Sequence, residues 1–227
     1  MSIKLNIKTG DLLLPPNLMS LLRIALTAPI AYFLAQDSDA GALTAAGLLI
    51  AAGATDFLDG LMARKLNQIT AMGHILDPLA DKLLAIILII ELIIFRDFPI
   101  WLAVAVFLRD LVILTAGLKI IRGRHEIAAS SLSGKYYFAS LAILLGSYIL
   151  RFEFGINLFF WIVLIFFTMS SINYGRAFAA ILRNKRIPQF NDRPIYVRIR
   201  GILNLSVWII FLYRLYTDIL SKFISTI

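Results

Sequence analysis

Long apolar runs separated by short polar turns dominate this chain, and they restrict it to a helical membrane fold. Six runs, at about 17–35, 41–63, 74–95, 99–118, 132–150 and 156–179, are each long enough to cross hydrocarbon, which takes about 20 residues of helix. Only structures that satisfy every backbone group internally cross lipid, so helices are expected throughout. With 60% of its 227 residues apolar, the chain is not an ordinary soluble domain. The expected fold is therefore all-α, a polytopic membrane protein built as a six-transmembrane-helix bundle with a C-terminal interfacial helix. Residues 1–16 form an interfacial arm ending at Pro15-Pro16, residues 17–186 the transmembrane domain, and residues 187–227 a polar tail. That tail carries an amphipathic helix on the bilayer or a seventh membrane helix.

The net charge of +8 raises the possibility of nucleic acid, but the distribution of charge argues against it. Lys and Arg gather at 4–8, 64–65, 119–124 and 183–200, whereas the alternate turns hold Arg96 and Arg151 as their only basic residues. This is the positive-inside pattern. It puts the N-terminus, the 64–73 turn and the segment after 183 in the cytoplasm, beside anionic membrane lipid. A cleavable signal peptide is not expected, since residues 1–14 have no apolar core. The chain has no Cys, so disulfides, thiolate metal sites and a Cys nucleophile drop out.

Four aspartates break the apolar pattern. Asp56 and Asp59 stand at i and i+3 near the end of the second run, and Asp77 and Asp81 at i and i+4 near the start of the third. Each pair shares one helix face, and a chain reversal at 65–72 turns the pairs toward each other. Ionisable groups at such depth mark functional sites. Four carboxylates that raise one another's pKa need a cation to stay ionised together. Hard oxygen donors suit Mg²⁺, Mn²⁺ or Ca²⁺ rather than zinc, so one or two divalent cations are expected. Gly60, Ala63 and Gly73 have a second reading as close-packing residues, and Arg64 with Lys65 as interfacial anchors.

The pattern Asp56-x2-Asp59-Gly60-x2-Ala63-Arg64-x8-Gly73-x3-Asp77-x3-Asp81 resembles the signature of the CDP-alcohol phosphotransferases, membrane enzymes of phospholipid head-group synthesis. The resemblance implies transfer of a phosphatidyl group from CDP-diacylglycerol to an acceptor alcohol, with release of CMP. It implies two Mg²⁺ (or Mn²⁺) ions held by Asp56, Asp59, Asp77 and Asp81, with Asp81 also the general base. Gly60, Ala63, Arg64, Thr70 and Gly73 are the implied CDP-alcohol contacts, in a homodimer of the bacterial inner membrane whose site faces the cytoplasm.

Outside the motif the residues leave more than one reading. In PNLMSLLR, Asn17 or Ser20 suits a helix cap and Arg23 a snorkelling cation. The stretch is also similar to the Pro-Asn-x-x-Thr-x-x-Arg of related enzymes, which would make Asn17 and Ser20 contacts of the CDP-alcohol. Arg109-Asp110 within the fourth run is either a mutually neutralised pair or, through Arg109, an anion-binding group. Arg109, Lys135 and Arg124 are candidates for the acceptor phosphate. Lys135 follows Gly134 as in related enzymes, but Tyr136-Tyr137-Phe138 replaces their further Lys and Thr. The segments DFLDGLMARKLNQITAMG and LDPLADKLL are most similar to phosphatidylglycerophosphate synthases, with glycerol 3-phosphate as acceptor. The CDP-alcohol type of cardiolipin synthase, using phosphatidylglycerol, and inositol-phosphate transferases are the alternatives. A cation transporter is a different class, disfavoured by the absence of an internal repeat.

Overall fold

A computed structural model describes residues 13–65, 70, 72–124, 132–183 and 194–221. These residues are helical, with no strand among them. The helices are α1 (Pro15–Ala35), α2 (Asp39–Lys65), α3 (Gly73–Arg96), α4 (Ile100–Arg124), α5 (Leu132–Ile149), α6 (Glu153–Leu182) and α7 (Pro194–Leu215), the last continuing into a π-helical turn, Tyr216–Leu220. The chain forms two compact units that divide after Pro99.

In the first unit α1 packs along both α2 and α3. Pro15 and Pro16 open this helix rather than precede it, because a first turn has no use for the N–H groups that proline lacks. The buried stripe of α1 is Pro16, Asn17, Ser20, Arg23, Thr27, Ile30 and Leu34, the three-and-four spacing of one helix face. It is polar in its first half and apolar in its second. The apolar half packs with small residues of α2, Ala42, Ala45 and Ala52, and with Leu88, Ile89 and Leu92 among the buried side chains of α3. Gly41 lets α2 start against the end of α1, since a Cβ there would lie 2.6 Å from the Phe33 carbonyl oxygen. Arg96, at the far end of α3, donates to Asp37 in the α1–α2 turn at 2.6 Å.

In the second unit α5 and α6 pack as an antiparallel pair. Their turn brings Phe152 to 1% exposure, with Arg151 in the left-handed region at φ 52°. Helix α7 joins this unit through Phe211, whose ring meets Phe152 and Phe159 at centroid distances of 5.4 and 5.2 Å. Asn204 also donates to the Tyr136 hydroxyl at 3.0 Å. Most of its other large apolar side chains, Trp208, Ile209 and Leu212 among them, are exposed.

Among the described residues three segments are long and apolar enough to cross a membrane, Pro15–Ala35, Glu153–Ile181 and Leu203–Leu220. The number of helices agrees with the sequence expectation, but the count of qualifying spans is smaller than six. Helix α3 carries Asp77, Asp81, Lys82, Glu91 and Arg96, and of α2 the described apolar stretch is Asp39–Thr55. The third qualifying segment belongs to the tail, which the expected fold laid on the bilayer. Arg214 and Asp218 approach within 3.8 Å at i and i+4 and so offset each other's charge within that segment.

Candidate active site

Asp56 and Asp59 lie near the end of α2 and Asp77 and Asp81 in the opening turns of α3, as their helical spacing predicts. Their environments differ sharply. Asp59 is 5% exposed and Asp77 half-buried, whereas the Asp81 side chain is 55% exposed. The side chains of Asp56, Gly60, Ala63, Arg64 and Arg124 lie outside the described set.

Among the described residues the polar half of α1 contacts three of these carboxylates. Ser20 donates from Oγ to Asp77 Oδ1 at 2.5 Å. Arg23 donates from Nη2 to Asp59 Oδ2 at 2.7 Å and from Nη1 to Asp81 Oδ1. Asn17 donates from Nδ2 to Thr70 Oγ1 at 3.2 Å, and the same hydroxyl accepts the backbone N–H of Gly73 at 3.0 Å. Gly73 has to be small, since a Cβ there would stand 2.8 Å from Asn17 Oδ1.

These contacts overturn the cap-and-snorkel reading of the first helix. Its N-cap is Leu14, with no side-chain cap hydrogen bond, and Arg23 is 1% exposed. A guanidinium that deep in a bundle is stable only when paired, and two carboxylates pair it. The signal lay in the spacing: Asn17, Ser20 and Arg23 recur every third residue on an otherwise apolar helix.

The donor chemistry fits a hard divalent cation. Asp59, Asp77 and Asp81 supply carboxylate oxygens, the hard donors such a cation prefers, and Ser20 or Arg23 holds one oxygen of each. Among the described residues, which leave out the Asp56 side chain, no three such groups are drawn together as a metal centre.

The acceptor candidates Arg109 and Lys135 belong to the second unit. Arg109 is buried and donates to Asp110 Oδ1 and Ser170 Oγ, each at 2.7 Å. Its guanidinium sits over the Tyr137 ring, 4.1 Å from the centroid, a favourable cation–π geometry. Here the mutually neutralised reading of Arg109-Asp110 describes the contacts. Lys135 is exposed at the start of α5. The aromatic departure after it is structural, since Tyr137 supports Arg109 and Tyr136 stacks on Phe166 at 5.2 Å.

Comparison with known proteins agrees with the motif. The family model for CDP-alcohol phosphatidyltransferase matches residues 13–181. The chain is 35% identical over 133 residues to the CDP-diacylglycerol–glycerol-3-phosphate 3-phosphatidyltransferase of Bacillus subtilis, covering 53% of this chain and 68% of that protein. It is 36% identical over 133 residues to the enzyme of the same name from Aquifex aeolicus, covering 57% and 72%. Similarity to the cardiolipin synthase (CMP-forming) of Rattus norvegicus is 42% over 102 residues, 44% of this chain and 33% of that protein. Three long apolar segments accord with an integral membrane protein. The match runs from the polar half of α1 to the end of α6 and takes in the whole carboxylate site, so the chain belongs to the CDP-alcohol phosphatidyltransferase family and is a transferase.

Proposed function

We propose that the enzyme transfers the phosphatidyl group of CDP-diacylglycerol to glycerol 3-phosphate and releases CMP. The observation that carries this reading is the half-open carboxylate Asp81, fixed through one oxygen beside Asp59. Glycerol 3-phosphate is preferred because the two relatives named for it are matched over 68% and 72% of their lengths. The rat cardiolipin synthase is matched over 33% of its length, but at a higher identity of 42%, which keeps phosphatidylglycerol as the second acceptor.

In this reading Asp81 takes the proton of the acceptor hydroxyl. The hydroxyl oxygen bonds to the phosphorus that bears diacylglycerol, the phosphoanhydride bond breaks, and CMP leaves with the bonding electrons. Asp56, Asp59, Asp77 and Asp81 would hold two Mg²⁺ or Mn²⁺ ions, whose chemistry is to neutralise the pyrophosphate and the leaving CMP. Asn17, Ser20, Gly60, Ala63, Arg64, Thr70 and Gly73 are assigned to the nucleotide by their place in the family motif. Lys135 is the exposed cation suited to a phosphorylated acceptor.

The enzyme works as a homodimer in the bacterial inner membrane, with six helices of residues 17–186 spanning the bilayer and the site on the cytoplasmic face. The length and apolar character of 203–220 support a seventh span over an interfacial helix. Single cysteines in this cysteine-free chain test the topology with an impermeant thiol reagent on intact cells. Positions 38, 153 and 227 are expected to label and position 67 to be protected. Labelling at 67 with protection at 38 reverses the orientation, and protection at 227 returns the tail helix to the cytoplasmic surface.

The reaction is tested with purified protein, labelled CDP-diacylglycerol and each acceptor in turn, the lipid products being separated. Phosphatidylglycerophosphate is expected with glycerol 3-phosphate. Product from phosphatidylglycerol alone would transfer the assignment to cardiolipin synthesis.

A further inference from the structure

Arg23 joins two of the carboxylates that the reaction uses, and they come from different helices. Asp59 belongs to α2 and Asp81 to α3, while the guanidinium that holds both rises from α1 at 1% exposure. Guanidinium is a rigid planar fork. Two carboxylates gripped by its Nη1 and Nη2 are therefore fixed relative to each other as well as to α1. Asp59 is 5% exposed and lies 2.7 Å from Nη2, so it serves as the second anchor of the fork.

Asp81 is the member that needs such a hold. Its side chain is 55% exposed, and an exposed carboxylate on a helix exchanges between staggered rotamers. Pinning Oδ1 from the buried side removes that freedom while the side chain stays 55% exposed. Productive proton transfer requires the base within hydrogen-bond reach of the acceptor hydroxyl, and small misplacements of such groups lower the rate steeply.

We propose that Arg23 is a positioning residue for phosphatidyl transfer, holding the Asp81 carboxylate in its working orientation by bridging it to Asp59. This rests on the assignment of Asp81 as general base made above. Charge alone does not supply the function, because a Lys ammonium on a flexible stem lacks the two-pronged planar grip.

The test compares wild type, Arg23→Lys, Arg23→Gln, Asp81→Asn and the double variant Arg23→Lys/Asp81→Asn, all purified in detergent. Both Arg23 variants are expected to lose about ten- to a hundredfold in kcat, the usual effect of removing a partner that orients an active-site ligand. Their KM for CDP-diacylglycerol and the thermal shift that this donor induces should stay at wild-type values. In the Asp81→Asn background Arg23→Lys should slow the residual rate no further, because residues that act as a unit are non-additive.

Three results overturn the proposal. Arg23→Lys turning over at the wild-type rate shows that charge suffices. A raised KM with unchanged kcat shows that Arg23 grips the donor. Loss of the donor-induced thermal shift along with turnover shows a merely structural role. A wild type inert with every acceptor overturns the transfer reading and this proposal with it, whereas an active wild type matched by Arg23→Lys overturns the bridge alone.

Discussion

Stripping divalent metal from the purified enzyme is expected to stop CMP release, and Mg²⁺ or Mn²⁺ to restore it. Among the described residues Arg23 pairs with Asp59 and Asp81, and Asp77 accepts from the neutral Ser20 hydroxyl. The donor adds a charged pyrophosphate to a site already in excess of negative charge. Two unit charges about 4 Å apart interact by roughly 4 kcal/mol at the effective dielectric of a protein surface. Leaving one such repulsion uncompensated costs about a thousandfold in rate. With several carboxylates and a pyrophosphate present, the loss should reach background in EDTA. A metal-stripped sample that keeps its full rate would show that no divalent cation is needed.

Asp81→Asn is the second large effect. The substitution keeps shape and removes the base, so turnover should fall by about a hundred- to ten-thousandfold, the range for loss of general base catalysis. Binding of CDP-diacylglycerol should be largely retained, since the other three carboxylates remain. The structure adds a second consequence. Arg23 keeps its 2.7 Å contact to Asp59 but loses the charge on Asp81, and weakening a pair whose acidic member is 55% exposed should cost no more than about 1 kcal/mol of stability. Single-turnover measurement separates the two effects from loss of binding, and melting in detergent reports the stability term. Near-normal transfer by Asp81→Asn would mean that another group takes the proton.

The carboxylate pairs were legible because charge is rare in apolar helices, so each aspartate stood out against its run and the i+3 and i+4 spacings oriented it. The polar face of α1 was harder. Asn17, Ser20 and Arg23 each suit an ordinary helix start, and it is Thr70 for Asn17 and Asp59, Asp77 and Asp81 for the other two, 36 to 58 residues away, that reveal their use. Long-range partners of this kind leave no local pattern beyond a threefold recurrence. Arg109 shows both cases, since Asp110 is adjacent in sequence whereas Ser170 is 61 residues distant. The tail kept two readings for a related reason. Arg214 and Asp218 interrupt the apolar run as individual charges but offset each other once on the same helix face. An uninterrupted apolar count therefore favours a helix on the bilayer, whereas length and mean hydropathy also qualify Leu203–Leu220 to cross it.

The account stands most directly on one measurement, the fate of ³²P placed in the phosphate next to diacylglycerol in CDP-diacylglycerol. Wild-type enzyme with Mg²⁺ and glycerol 3-phosphate should move the label into the lipid product and release unlabelled CMP, while Asp77→Asn, deprived of a proposed metal ligand, should leave it in the donor. Label released with the nucleotide, or equal transfer by Asp77→Asn, would contradict the claim that this carboxylate site carries out phosphatidyl transfer.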